Sequence, residues 1–216
     1  MCELYPMLST TALSYSYHNS ATNFNFEPIQ LADEEALLIL GPSGIGKSTL
    51  LQLLNGIRKP SNGSISINGT EITQLSNNAL DNFRGKNIST IPQVPWFIRS
   101  CSLMDNLNAT IYFSGKNQSS NKIKSKLDQL EIGHLANRLP SQISSGELQR
   151  FAIVRALINE PVLILADEPT SALDDARCTE TIKLLKENST QSGASLVIVT
   201  HDSRIISSFS HHIKLS

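Results

Sequence analysis

"GPSGIGKSTL", Gly41–Leu50, is the stretch that decides the fold. It follows the run "ALLIL" (Ala36–Leu40), which is too apolar for a half-exposed strand and reads as buried on both faces, as in a parallel sheet. After it, "KSTLLQLLNG" has helical spacing and stops at Gly56. A strand, a glycine-rich loop and a helix in that order fit the pattern Gly41-x-x-x-x-Gly46-Lys47-Ser48 of a phosphate-holding loop. The glycines let the backbone of Gly41, Pro42, Ser43, Gly44, Ile45 and Gly46 turn tightly and aim successive N–H groups inward, making a nest for anionic oxygens. The helix beginning near Lys47 adds its positive end. In that geometry Lys47 reaches the β- and γ-phosphates, the Ser48 hydroxyl ligates Mg²⁺, and Thr49 adds a donor to the α-phosphate.

A second site points to the reaction. "VLILADEPTSALD" (Val162–Asp174) is a buried-strand pattern ending in adjacent acids. Asp167 at the strand end is placed to hold Mg²⁺, and Glu168 to polarise an attacking water. Working outward, "TALSYSY" (Thr11–Tyr17) and "FNFEPIQLA" (Phe24–Ala32) read as strands, the latter with an edge or bulge at Pro28. "GSISINGTEI" (Gly63–Ile72) reads as a hairpin around Asn68-Gly69. The polar, Asn- and Ser-rich middle, residues 74–142, carries helical patterns near Ser102–Phe113 and Ser119–Ile132 and reads as a helical insertion. "LQRFAIVRALI" (Leu148–Ile158) is an amphipathic helix, and a further helix across Ala176–Asn188 precedes the buried-strand run "SLVIVT" (Ser195–Thr200). Strands alternating with helices give an α/β class with a parallel sheet.

Bulk composition excludes several functions. With 216 residues, 40% of them hydrophobic, the chain can bury a sizeable core without disulfides. A net charge of −1 with no basic stripe argues against nucleic acid as a partner. Cys2, Cys101 and Cys178 have no metal-ligand spacing and fit a reducing compartment. There is no signal-peptide pattern, and apolar runs of about five or six residues fall far short of the ~18–20 that a membrane span needs. If the protein works at a membrane, another chain supplies the spans.

Taken in order, the motifs resemble the ATPase subunit of ATP-binding cassette (ABC) transporters along nearly the whole chain. "GPSGIGKST" is similar to that family's Walker A loop, Gln93 in "STIPQVPWF" to its Q-loop, and "ISSGELQR" (Ile143–Arg150) to its LSGGQ signature. "LILADE" resembles its Walker B, "SALD" (Ser171–Asp174) its D-loop and His201 in "IVTHD" its switch histidine. "ADEPTSALD" and "SSGELQR" look most like the lipoprotein-releasing and macrolide-export types. The resemblance implies a P-loop NTPase core, a mostly parallel sheet with flanking helices and an antiparallel β subdomain, with an inserted α-helical subdomain. The core would comprise residues 1–92 and 160–216, and the helical lobe residues 93–159.

It also implies roles. Gln93 would reach Mg²⁺ and the attacking water, and His201 would bond the γ-phosphate and orient Glu168. Ser144, Ser145, Gly146 and Glu147 would cap the γ-phosphate of ATP held by a second subunit, and Asp174 would touch that subunit's Walker A loop. An aromatic residue upstream of Walker A would stack on adenine; Tyr17 is the choice and Tyr15 the rival, since both point the same way in a period-2 strand. The expected cofactors are ATP and Mg²⁺. The expected partners are a second ATPase subunit and transmembrane permease subunits, which would hold the chain in the cytoplasm on the inner face of the cell membrane.

Some positions depart from the family pattern. Ser145 replaces the first signature glycine, where φ > 0 would be costly, and Glu34 stands where many members have Gly. Trp96 and Phe97 face either a membrane partner's coupling helix or the lobe core. His211 and His212 lack a third metal ligand. A non-transport ABC ATPase acting on a macromolecular complex is the alternative; a P-loop kinase or GTPase would need neither "ISSGELQR" nor His201.

Overall fold

The computed structural model describes residues 6–17, 22–171 and 173–215. Cys2 and the Ala172 of the "SALD" stretch lie outside them. The chain opens with β1 (Leu8–Thr10), β2 (Leu13–Ser16), β3 (Asn23–Phe26), β4 (Gln30–Leu31) and β5 (Ala36–Leu40). After α1 (Lys47–Leu54) come β6 (Ile65–Ile67), β7 (Thr70–Glu71), α2 (Asn77–Asn87) and β8 (Ile88–Ile91). Helices α3 (Leu103–Ser114), α4 (Ser120–Gln129) and α5 (Ser145–Leu157) follow. The chain continues through β9 (Leu163–Asp167), α6 (Asp175–Gln191), β10 (Ser195–Thr200) and β11 (His211–Lys214).

Five strands form a sheet in the order β11-β5-β10-β9-β8, parallel at every pairing. The period-2 alternation of their apolar residues divides the core in two. Leu37, Ile39, Leu163, Leu165, Val197 and Val199 face α1 and the antiparallel sheet β4-β1-β6-β7. Leu38, Leu40, Ile164, Ala166, Leu196 and Ile198 face the helices α3 to α6, whose Leu107, Leu127, Phe151 and Ile182 share that cluster. Each fully buried Leu or Ile contributes roughly 1.5–3 kcal/mol. The two-sided burial of β5 is what holds its C-terminal end, and hence the Gly41 loop, in place.

Three local readings are corrected. The strand expected over Thr11–Tyr17 is the shorter β2, paired with β3; β1, which ends at Thr10 just before it, belongs to another sheet and pairs with β4 and β6. Phe24–Ala32 is divided between β3 and β4, with Pro28, which has no N–H to donate, in the gap. The middle segment is not wholly helical: "ISTI" is β8, paired with β9 at the sheet edge, too short and too polar in its centre to stand out by period. The Asn68-Gly69 hairpin is as expected, with both residues at positive φ (48° and 73°), as its turn type requires.

Candidate functional site

The loop from Gly41 to Gly46 joins β5 to α1. Gly44 and Gly46 have φ of 84° and 106°, and a Cβ on Gly46 would lie 2.5 Å from a Phe24 ring carbon, so both conformation and space demand glycine there. Helices α2 to α6 each begin with a Ser or Asp side chain accepting from the first turn; α1 has no such cap and no acid in its first turn. Its leading N–H groups are therefore unneutralised and aimed at the loop, a site for negative charge. Lys47, only 6% exposed, donates from Nζ to the carbonyls of Gly41 (2.8 Å) and Pro42 (3.0 Å), which folds the side chain back over the loop.

The ends of β9 and β10 carry the partners. Lys47 Nζ lies 3.4 Å from Glu168 Oε1, and His201 Nδ1 lies 2.9 Å from the same oxygen. Glu168 Oε2 accepts from the Thr200 hydroxyl at 2.7 Å and from the His201 N–H at 3.3 Å. Burial pushes the Glu168 carboxyl up, but the bonds from the His201 ring, Thr200 and the His201 N–H outweigh it, so the group sits below the usual range. Glu168 is thus an ionised acceptor at neutral pH, suited to orienting a water's protons. Its φ of 48° is left-handed, a strain of roughly 1–3 kcal/mol that the Glu168 N–H to Val199 carbonyl bond (2.8 Å) helps hold.

Asp167 answers to a different environment. Burial raises its carboxyl, opposed by hydrogen bonding from Ser48. Its Oδ1 is buried with no hydrogen-bond partner among the described residues. A buried carboxylate oxygen left unpaired beside a hydroxyl is a fit for a hard divalent cation, whose preferred ligands are oxygens. The donor set therefore suits Mg²⁺.

The other sequence-chosen residues gather in part. Gln93 donates from Nε2 to Ser171 Oγ at 3.4 Å, and Gln93, Ser145, Glu168 and Ser171 line one cleft of about 300 Å³. Tyr17 lies just past β2, its OH 2.9 Å from Thr49 Oγ1, which ties it to the loop. Tyr15 instead accepts from Arg58 at 2.7 Å. The Arg58 guanidinium sits 4.5 Å over the Tyr17 ring and 5.4 Å over the Tyr15 ring, an aromatic support that nothing in the sequence pattern indicated.

The signature segment stands apart from the loop: among the described residues no hydrogen bond or ion pair links 144–147 to 41–49. Ser144 caps α5 in a reciprocal box with Glu147, whose carboxylate accepts from the Ser144 N–H and hydroxyl at 2.7 Å each. Ser145 is the first residue of α5 and is not at positive φ, which overturns the expected strain there. Gly146 has open space where a Cβ would go. Asp174 caps α6 by accepting from Arg177 N–H at 2.9 Å. Trp96 and Phe97 part company: Trp96 is 72% exposed, whereas Phe97 packs on the core beside Phe151. His211 is bound to Glu35, 2.9 Å away. Thr200 is the site residue the sequence reading missed; its place at the end of β10, directly before His201, was the available signal.

The family model described as "ABC transporter" matches residues 26–171. Among curated relatives, the lipoprotein-releasing system ATP-binding protein LolD of Shewanella denitrificans is 33% identical over 97% of this chain and 92% of its own. LolD of Bacteroides fragilis is 34% identical over 81% and 82%. Among solved structures, the dimeric ATP-binding cassette MJ0796 in a post-hydrolysis state with ADP and Pi superposes with a TM-score of 0.82, 29% identity and 97% and 94% coverage. CbiO1 of Clostridium perfringens, part of the transporter complex cbiONQ, gives 0.81, 29%, 92% and 79%.

Proposed function

Since the chain belongs to the ABC transporter family, as an ATP-binding and ATP-hydrolysing subunit that powers transport, we propose that its hydrolytic centre is the meeting of Lys47, Glu168 and His201. The carrying observation is the single oxygen Glu168 Oε1 shared by Lys47 at 3.4 Å and His201 at 2.9 Å. In this reading the 41–46 backbone and Lys47 bind the phosphates, Thr49 adds a donor to the α-phosphate, and Tyr17 stacks on the adenine. Glu168 orients the water that attacks the terminal phosphate, and His201 holds both Glu168 and that phosphate in register. Gln93 senses the same site from the cleft. Ser48 and Asp167, with Gln93 nearby, would hold Mg²⁺, which when bound offsets phosphate charge. The unpaired Asp167 Oδ1 supports that assignment.

Two further parts belong to the proposal. Two subunits clamp ATP between them, Ser144 to Glu147 and Asp174 of one facing the 41–49 loop of the other; the separation of these segments within one chain and the likeness to the dimeric MJ0796 cassette support this. Residues 93–159 form the lobe that meets transmembrane partner subunits. A groove of about 510 Å³ lined by Trp96, Ile98, Phe113, Ala109 and Arg155 would take a helix from such a partner, Phe113 being 81% exposed. No helix among the described residues is long and apolar enough to cross a membrane, in keeping with a peripheral place on its inner face. The test is phosphate release from ATP by the purified chain with Mg²⁺, alone and with its membrane partner. Lys47→Ala should bind no ATP and release none; retained micromolar ATP affinity would refute the phosphate-loop assignment.

A further inference from the structure

The turn that follows His201 is held by one side chain that no motif singles out. Arg204 donates from Nε to Asp202 Oδ1 at 2.9 Å and from Nη2 to Asp202 Oδ2 at 2.7 Å, a two-pronged pair. The Arg204 N–H adds a third bond to Asp202 Oδ1 at 3.0 Å. The same guanidinium reaches across to the start of α6. Nη1 and Nη2 each donate to the Leu173 carbonyl at 3.3 Å, and Nη1 donates to Asp175 Oδ1 at 2.5 Å. Arg204 thereby brackets Asp174 from both sides.

Asp202 in turn leads to the hydrolytic centre. Its side chain is buried, and Oδ2 also accepts from the Thr170 hydroxyl at 3.0 Å, two residues beyond Glu168. The Asp202 N–H donates to Thr200 Oγ1 at 3.0 Å, and that hydroxyl donates to Glu168 Oε2 at 2.7 Å. His201 lies between Thr200 and Asp202, so both its flanks are pinned while its ring meets Glu168. One guanidinium thus ties together the segments carrying Glu168, Asp174 and His201.

We propose that Arg204 is a positioning residue for hydrolysis: by gripping Asp202, the Leu173 carbonyl and Asp175 together, it sets the His201 ring against Glu168 and makes that contact answer to movement of the 173–175 turn. This rests on the functional reading above. A planar fork can serve Asp202 and the turn at once; a lysine ammonium, a single point of charge, cannot. Nucleotide capture by one subunit draws on the loop, Lys47, Thr49 and Tyr17, none of which Arg204 touches, so its loss should act on turnover and not on that affinity.

The experiment compares the full chain with Arg204→Ala, Arg204→Lys and Asp175→Asn, reading kcat and KM for ATP, the melting temperature and the ring ¹⁵N resonances of His201. Arg204→Ala should lower kcat by roughly tenfold or more with KM within about twofold. It should also move the His201 resonances toward those of an unpartnered imidazole. Arg204→Lys should recover part of the loss, and Asp175→Asn should show a smaller one; these two decide the matter if Arg204→Ala does not fold. A folded Arg204→Ala with wild-type kcat and unmoved resonances overturns the proposal, as does ATP affinity falling in parallel with turnover. If the unsubstituted chain releases no phosphate, the functional reading fails, and the His201 resonances still decide the positioning.

Discussion

His201 Nδ1 stands 2.9 Å from Glu168 Oε1, although the two residues are 33 positions apart and follow different strands. The parallel register that sets Val199 beside Asp167 brings the ends of β9 and β10 together, and Glu168 and His201 each follow directly. The contact is therefore a product of sheet pairing.

Asp167 should govern the response to Mg²⁺ and to pH. Its carboxyl is raised by burial, so the folded state holds its proton longer than the unfolded chain does. The associated stability is intact below its ordinary pKa of 3.8 and is lost as pH rises through the raised folded value. At neutral pH the ionised group opposes folding, and Mg²⁺ offsets that penalty. Thermal melts at pH 7 should show Mg²⁺ stabilising the wild type. Asp167→Asn should melt no lower without Mg²⁺, should gain nothing from it, and should turn over ATP roughly 100-fold more slowly. An equal Mg²⁺ increment in both proteins would remove Asp167 from the metal site.

Ser145→Gly should be nearly silent in turnover. Because Ser145 is helical and caps nothing itself, glycine relieves no strain there and lowers stability by roughly 0.5 kcal/mol. Steady-state hydrolysis should stay within about twofold. A collapse in kcat would show that the serine hydroxyl takes part in the site.

Glu34→Gly should stabilise the fold. Glu34 is exposed and has φ 59° in the turn before β5. Relieving a left-handed backbone at a non-glycine residue is worth on the order of 1 kcal/mol, or roughly 2–4 °C in melting temperature for a chain of this size. A lower melting temperature would mean that the Glu34 side chain holds the turn.

Most of the architecture was legible because its signals are local. "ALLIL", "VLILA" and "SLVIVT" are apolar on both faces, and such runs have few uses outside a buried parallel sheet. The loop glycines, Lys47, Asp167, Glu168 and His201 stand at fixed offsets from those strands. What the sequence hid depends on pairing across the chain. β8 is a strand because β9 offers it an edge, not because "ISTI" alternates strongly. Thr200 and Arg204 acquire their parts only when β10 lies beside β9, and Ser144 and Asp174 serve as helix caps in addition to any role toward a neighbour. Ser145 carries no positive φ because a family glycine does not by itself imply a left-handed backbone, and the first turn of α5 is ordinary helix.

In the proposed mechanism Glu168 activates water at a site completed by a second subunit. The mass in solution of Glu168→Gln with ATP and Mg²⁺, measured by light scattering alongside bound nucleotide, tests this. A species of twice the monomer mass should form, with two ATP retained and no phosphate released. A monomer holding ATP, or phosphate release at the wild-type rate, would contradict it.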